Sequence, residues 1–486
     1  MTKQEAIDFC KNNPEAAAEI ILMVEELKKI IAAQEKRIKE LETKLNMNSK
    51  NSSKPPSSDN KLKISKKSNK KNIQKRKKGG QKGREGKTLK MVEKPNKIIK
   101  LKPTLCSCCN QDISENKSIK YIKRQIFDIP PMNIEVTEYQ THLIKCPNCN
   151  NTNKANFPNN VKAPTGYGEN LKAVVSYLNT YHMLPYERIT QLIQDISEHK
   201  ISVGTVFNIL NDTYENLYSF ENSLKKRVLK EEVLHSDETG VNVNGNLKWI
   251  HTVSNNRLTF YHIHNKRGNE AIKDAGILPK YKNILTHDFF SSYNHYDNIT
   301  HSYCNAHIIR ELQAEIDTNG YKWAKDMQNL LKIINKEVIK QKERQKNSLN
   351  SKKIEQFEIF YSKITKNALD YYKPPPDTDK KEKKRGKQKQ EKGKNLLDRL
   401  IKYKDGILLF MHNFNVAFTN NQAERDLRMI KVKQKVSGTF ASFKGGEIFC
   451  RIKGYISTLR KNNIKVLEGL RMCYCENVTV DMVVGR

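Results

Sequence analysis

From Val233 onward the hydrophobic period of the chain changes from that of helices to that of strands. The segments "VLHSDETGVNV", "LKWIHTVSN" and "LTFYHIHNK" read as three strands, and "VNGN" (Val243 to Asn246) turns the first into the second. A helix, "GNEAIKDAGIL", comes next, followed by a fourth strand in "YKNILTHDFFSSY". The segment "HSYCNAHIIRELQAEI" then begins as strand and becomes helix. Three antiparallel strands followed by alternating helix and strand confine this region to a mixed α/β core.

That order is the one expected of a ribonuclease-H-like α/β core, in which the first and fourth strands are neighbours. Asp237 lies in the first strand and Asp288 at the end of the fourth, so the two carboxylates can meet. Close carboxylates repel, and divalent cations remove that cost. Two Mg²⁺ about 3.5–4 Å apart can activate a water or a 3′-hydroxyl and stabilise the leaving oxygen. Glu238 is the obvious rival to Asp237, but strand alternation sends it to the opposite face. A third carboxylate is expected on a helix. In "TNNQAERDLRMIKVKQKVSG", Glu424, Arg428, Lys431 and Lys435 share one helical face. Ala423, Leu427 and Ile430 form an apolar strip on one side of it, and Met429, Val432 and Val436 form another on the far side. An ordinary ion pair on a solvated face would account for Glu424 alone. The ordered set of strand Asp, strand Asp and helix Glu assigns it instead to the metal cage, with Arg425, Arg428, Lys431 and Lys435 facing a phosphate backbone.

Charge supports a nucleic-acid partner. Lys and Arg total 88 against 53 Asp and Glu, a formal net charge of +35, and such an excess favours a polyanion through counterion release. A membrane surface is the competing polyanion, but the longest apolar run, "IILMV", is far short of the roughly 20 residues a spanning helix needs. The N-terminus shows no signal-peptide pattern, so the expected location is the cytoplasm, at the nucleoid.

The rest divides by composition. Within residues 1–47, Ile20, Val24, Leu27, Ile31, Gln34, Ile38, Leu41 and Leu45 keep a heptad seam, which predicts a coiled coil and a homo-oligomer. Residues 48–100 read as a disordered basic linker; Lys61 to Lys90 holds fourteen Lys or Arg and one acid, Glu85. In 101–155, "CSCC" and, after 36 intervening residues, "CPNC" supply two pairs of thiolates. Cys106, Cys109, Cys146 and Cys149 suit one structural tetrahedral Zn²⁺, with Cys108 left over and a hairpin expected in Asn133 to Lys145. Residues 165–230 read as helices, two of them spaced like a helix-turn-helix, with Ser202 capping the second. The catalytic core takes 231–310 and 416–462. It is interrupted by a helical insertion, 311–415, with a basic low-complexity loop at 373–394. Residues 463–486 read as a C-terminal tail.

These motifs carry a resemblance. "NSSKPPSSD", "GGQKGREGKT", the paired Cys motifs, "LPYERI…ISVGTVFN", "DETG", "CNAHIIREL" and "NNQAERDLRMIKVKQKVSGTF…GGEIFCRIKGYISTLRKNN" together resemble transposases of the insertion-sequence 66 family, in order and over nearly the whole chain. One departure is Lys82, where that family commonly has Pro. The resemblance implies an Asp-Asp-Glu triad at Asp237, Asp288 and Glu424. It implies cutting of the double-stranded ends of the chain's own element and joining of the freed 3′-hydroxyls to target DNA, with accessory proteins from the same element as partners. It also marks Cys304 and His307 as a Cys-x-x-His feature of related transposases. Two other functions fit the same residues: a catalytically silent DNA-binding derivative, and a ribonuclease-H-like nuclease.

Overall fold

The computed structural model describes residues 3–47, 51, 89–130, 133–158, 161, 163–372 and 390–485. The Ser/Asn/Pro-rich stretch 48–60 apart from Asn51, the basic arm up to 88, and residues 373–389 of the low-complexity loop lie outside the described residues. The chain forms two units, one of residues 1–60, 138–194 and 200–486, the other of 61–137 and 195–199.

The smaller unit has no helix and no multi-residue strand in its described part of 89–137. It is closed locally: the Gln125 side-chain amide bonds both backbone groups of Val92, at 2.7 and 2.8 Å. A bridge joins Leu105 to Asp112 around the first cysteine pair.

The larger unit opens with α1 (Lys3–Asn12) and α2 (Pro14–Asn46). Pro14 stands at the start of α2, where its missing N–H loses no helical bond. Next come β1 (Leu143–Lys145) and β2 (Thr152–Lys154), which pair antiparallel. This hairpin is displaced from the one expected in 133–145. Of that stretch only Leu143–Lys145 forms a strand, and its partner lies beyond the second cysteine pair. The tight turn at Cys146 brings these two strands together, whereas Val136, 87% exposed, finds no surface to cover.

Helices α3 (Glu169–Ser176), α4 (Tyr186–Ser197), α5 (Val203–Asn216) and α6 (Tyr218–Val228) follow. The Ser202 side chain accepts from the Thr205 N–H and caps α5 as expected. Strands β3 (Val233–Val243), β4 (Asn246–Ser254) and β5 (Thr259–His264) form the antiparallel meander. Asn244 and Gly245 both take positive φ, 46° and 80°, which a two-residue hairpin turn requires. After α7 (Asn269–Ala275), β6 (Ile284–His287) and β7 (Thr300–Tyr303) add parallel to β3, giving the sheet order β5-β4-β3-β6-β7.

Beyond β7 run α8 (Asn305–Asn319), α9 (Lys322–Lys342), α10 (Ser351–Leu369), α11 (Lys392–Lys402) and α12 (Lys404–His412). Their apolar faces make one core with Tyr303, Leu312, Trp323, Leu331, Leu397 and Phe410. The chain then returns to the sheet. Helix α13 (Asn421–Ser437) lies on β3 and β4, and α14 (Phe443–Lys461) lies on β5. Gly454 permits the second approach, since a Cβ there would stand 3.1 Å from the Thr259 carbonyl. Finally, α15 (Val466–Cys475) packs on α3 and α5, and α16 (Val480–Val484) packs on α6. The last residues thus close the core of the helical region that precedes the sheet.

Candidate active site

Backbone register brings the two aspartates together. In the parallel pair β3/β6, Val233 faces Ile284, Leu234 faces Leu285 and His235 faces Thr286, an offset of 51. Asp237 and Asp288 differ by the same 51, so continuing the register past its last pair sets them abreast. Each carboxylate is fixed by a local backbone bond: Asp237 Oδ1 accepts from Glu238 N, and Asp288 Oδ1 accepts from Phe290 N, both at 2.9 Å. Burial pushes the Asp237 pKa up to about 8, and the nearby charges of Glu238, Asp288 and Glu424 push it the same way.

Glu238 is committed elsewhere. Its carboxylate accepts from the Tyr293 hydroxyl at 2.6 Å and from the Arg267 guanidinium at 2.8 Å. Arg267 in turn packs over the rings of Phe290 and Trp249, at 4.3 and 5.0 Å.

Glu424 is set by α13. Ala423 is fully buried, and Leu427 and Ile430 are buried with Val241, Ile250, Tyr261 and Phe449, which holds this face of the helix on the sheet. Burying the Leu and Ile side chains contributes roughly 1.5–3 kcal/mol each. The far strip behaves differently from expectation: Met429 and Val432 are half-buried and Val436 is 42% exposed, because α13 rests on the sheet by one face. Glu424 Oε1 is buried and has no hydrogen-bond partner. A buried carboxylate oxygen left in this state is costly unless a ligand reaches it.

A residue that sequence reasoning missed ties these parts together. Asn420, almost wholly buried, precedes α13. Its Nδ2 donates to the Ser236 carbonyl at 2.8 Å, its Oδ1 faces His235 Nδ1 at 3.0 Å, and its backbone N–H donates to Cys304 Sγ at 3.1 Å. Asn420 therefore links the strand of Asp237 to the helix of Glu424. The available signal was an Asn in helix-capping position four residues before the glutamate.

Cys304 stands at the N-cap of α8 and His307 in its first turn. Ligand atoms of Cys304, His307 and Glu424 all lie within 4.8 Å of one another. The Cys304 thiol beside His307 holds the imidazole up to about 9, against the effect of burial, and Glu424 and Asp288 add to it. Buried His287, which ends β6 next to Asp288, is driven down to about 3 and stays neutral; its Nε2 meets His301 Nδ1 at 2.9 Å.

The proposed DNA contacts divide. Arg428 and Lys435 are exposed on α13. Arg425 donates to Gln422 at 2.8 Å, and the Lys431 ammonium donates to the Gly240 carbonyl, so it is turned toward β3.

The two cysteine knuckles have the same backbone. Cys106 N–H donates to Gln111 O and accepts at its own carbonyl from Asn110 N; Cys146 does the same with Asn151 and Asn150. Asn110 and Asn150 both take positive φ, 56° and 60°. Backbone N–H groups of Cys109 and Cys108 lower the Cys106 pKa, and those of Cys149 and Asn148 lower that of Cys146. Each turn favours a thiolate at its first cysteine, as a metal-binding knuckle does.

A mixed sheet that gathers acids at β3 and β6, in a chain with a net charge of +35, is the equipment of an enzyme that modifies nucleic acid. The profile of the Transposase IS66 family matches residues 165–448, more than half of the chain, and the chain belongs to that family. Residues 103–150 match the zinc-finger binding domain of transposase IS66, and residues 8–90 match a family of unknown function (DUF6444). A search of curated proteins gave no match. The chain is thus a transposase by family, with a DNA-binding, zinc-finger character. Among the described residues no helix is long and apolar enough to cross a membrane.

Proposed function

We propose that this transposase cuts the ends of its own element and joins the 3′-hydroxyls to target DNA, with Asp237, Asp288 and Glu424 as its metal-holding triad. The observation that carries the reading is electrostatic: Asp237 is a partly buried acid whose pKa is raised by burial and by its anionic neighbours, Asp288 and Glu424 among them. Such a cluster suits divalent cations, and the orphaned Glu424 Oε1 suits one as well. Two Mg²⁺ (or Mn²⁺) ions held there would activate the attacking oxygen, first of water and then of the 3′-hydroxyl, and offset charge on the leaving oxygen.

The chain's own residues do the remainder. The strand order, with β3 central between β4 and β6, supports the ribonuclease-H-like reading. Asn420 fixes the start of α13 against β3 and so aims Glu424. Arg428 and Lys435 would position the DNA backbone; Arg425 and Lys431 each spend one donor, on Gln422 and the Gly240 carbonyl respectively, and keep others for phosphate. The matching turns, each favouring a thiolate at its first cysteine, and the match to a zinc-finger domain support a structural Zn²⁺. The exposed seam of α2 supports self-association.

The test is a cleavage and strand-transfer assay on DNA flanking the chain's own gene, in Mg²⁺ or Mn²⁺. Metal-dependent nicking at fixed ends, lost in Asp288→Ala, is expected. Cutting that persists in Asp288→Ala would overturn the triad, and end binding without cutting by the wild type would favour a silent DNA-binding derivative.

A further inference from the structure

Cys304, His307 and Glu424 are a sulfur, a nitrogen and an oxygen donor brought within 4.8 Å of one another. That chemistry differs from the all-oxygen set suited to Mg²⁺. We infer that these three residues form a separate site for a soft divalent cation, Zn²⁺, which shares Glu424 with the triad.

Four features converge on it. Cys304 is fully buried, and its sulfur already accepts an N–H bond from Asn420, which fixes the sulfur's position at the cluster. Cys304 and Glu424 stand at the N-termini of α8 and α13, where the helix dipole favours anions. Cys304 at the N-cap of α8 and His307 in its first turn bring a sulfur and a nitrogen donor close together, which suits one metal. Glu424 keeps a buried oxygen without a partner. One thiolate, one carboxylate and one neutral imidazole would balance a dication and leave a fourth position for water. Ligand atoms around a tetrahedral zinc sit roughly 3.3–3.6 Å apart, given bond lengths of about 2.0–2.3 Å. The cluster therefore has to contract by up to about 1.5 Å, which side-chain rotation can supply.

A consequence rests on the triad reading given above. Zinc bound to Glu424 would draw that carboxylate away from Mg²⁺, so free zinc would slow Mg²⁺-dependent cleavage.

The experiment is metal counting on the full chain. Wild type, Cys304→Ser, His307→Gln and Glu424→Gln are exposed to Zn²⁺, desalted and analysed by plasma mass spectrometry. Counts are compared among proteins with the wild-type circular dichroism spectrum; the half-buried Glu424→Gln keeps a folded comparison available if the changes at Cys304 and His307 unfold the chain. The folded variants are expected to hold about one zinc fewer than wild type, whatever the cysteine knuckles contribute. Equal counts in wild type and the folded variants would overturn the inference. The count is read without DNA or Mg²⁺. A chain that cuts DNA but shows no difference in zinc loses this site and keeps the triad; one that shows the difference but does not cut loses the triad and keeps the site.

Discussion

Asn420 is the residue on which the proposed site turns. Its two side-chain bonds, to Ser236 O and His235, join elements 184 and 185 residues apart in sequence. Asn420→Ala leaves buried partners unpaired, and the expected cost is about 1–3 kcal/mol in urea unfolding. Cleavage is expected to fall by about tenfold or more from misplacement of Glu424, with DNA affinity retained. Asp237 supplies a second prediction, with a definite sign. Its folded pKa is raised to about 8, so without metal the folded state holds a proton that the unfolded chain releases near pH 4. Stability of the metal-free protein therefore falls as pH rises through that window. A cation must displace the proton, so Mn²⁺ affinity, followed by calorimetry, is expected to rise by up to about tenfold per pH unit below about 8 and then level off. In Asp237→Asn the fall in metal-free stability across this window should disappear.

At the scale of the element, α14 carries a lysine where a core residue is expected. Lys453 is 3% exposed, and burial lowers its pKa to about 8. Between pH 8 and the ordinary lysine value the unfolded chain binds a proton that the folded chain does not, so stability from this group rises with pH across that window. Lys453→Met is expected to raise stability at pH 7 by about 1–3 kcal/mol and to flatten that rise, as measured by denaturant melts at several pH values. The elements themselves were largely legible. Alternation gave the strands around Asp237, and the 3.6-residue period gave α13 and its buried Ala423, Leu427 and Ile430. What the sequence hid was long-range. The reach of Asn420 to β3, the diversion of Lys431 to Gly240 and the pairing of Glu238 with Arg267 all depend on how elements meet. The last residues read as a tail for the same reason, since α15 and α16 bury against helices more than 230 residues earlier.

For the whole molecule, α2 and the acid cluster make separate claims. Leu27 and Ile31 on the heptad seam are 50% and 53% exposed, which is a large apolar cost for a helix left without a partner. A second copy of this chain is the proposed partner, and Leu27→Asp with Ile31→Asp should convert the oligomer to monomer in light scattering; an unchanged mass would exclude this seam. The central claim is that Asp237, Asp288 and Glu424 act as one cation site, although 135 residues separate the last two. The most direct measurement is Mn²⁺ binding to the full chain by electron paramagnetic resonance, with Asp237→Asn, Asp288→Asn and Glu424→Gln alongside. The account predicts about two Mn²⁺ per chain in the wild type and loss of binding in each variant. Wild-type binding in all three would show that these acids do not hold the metal.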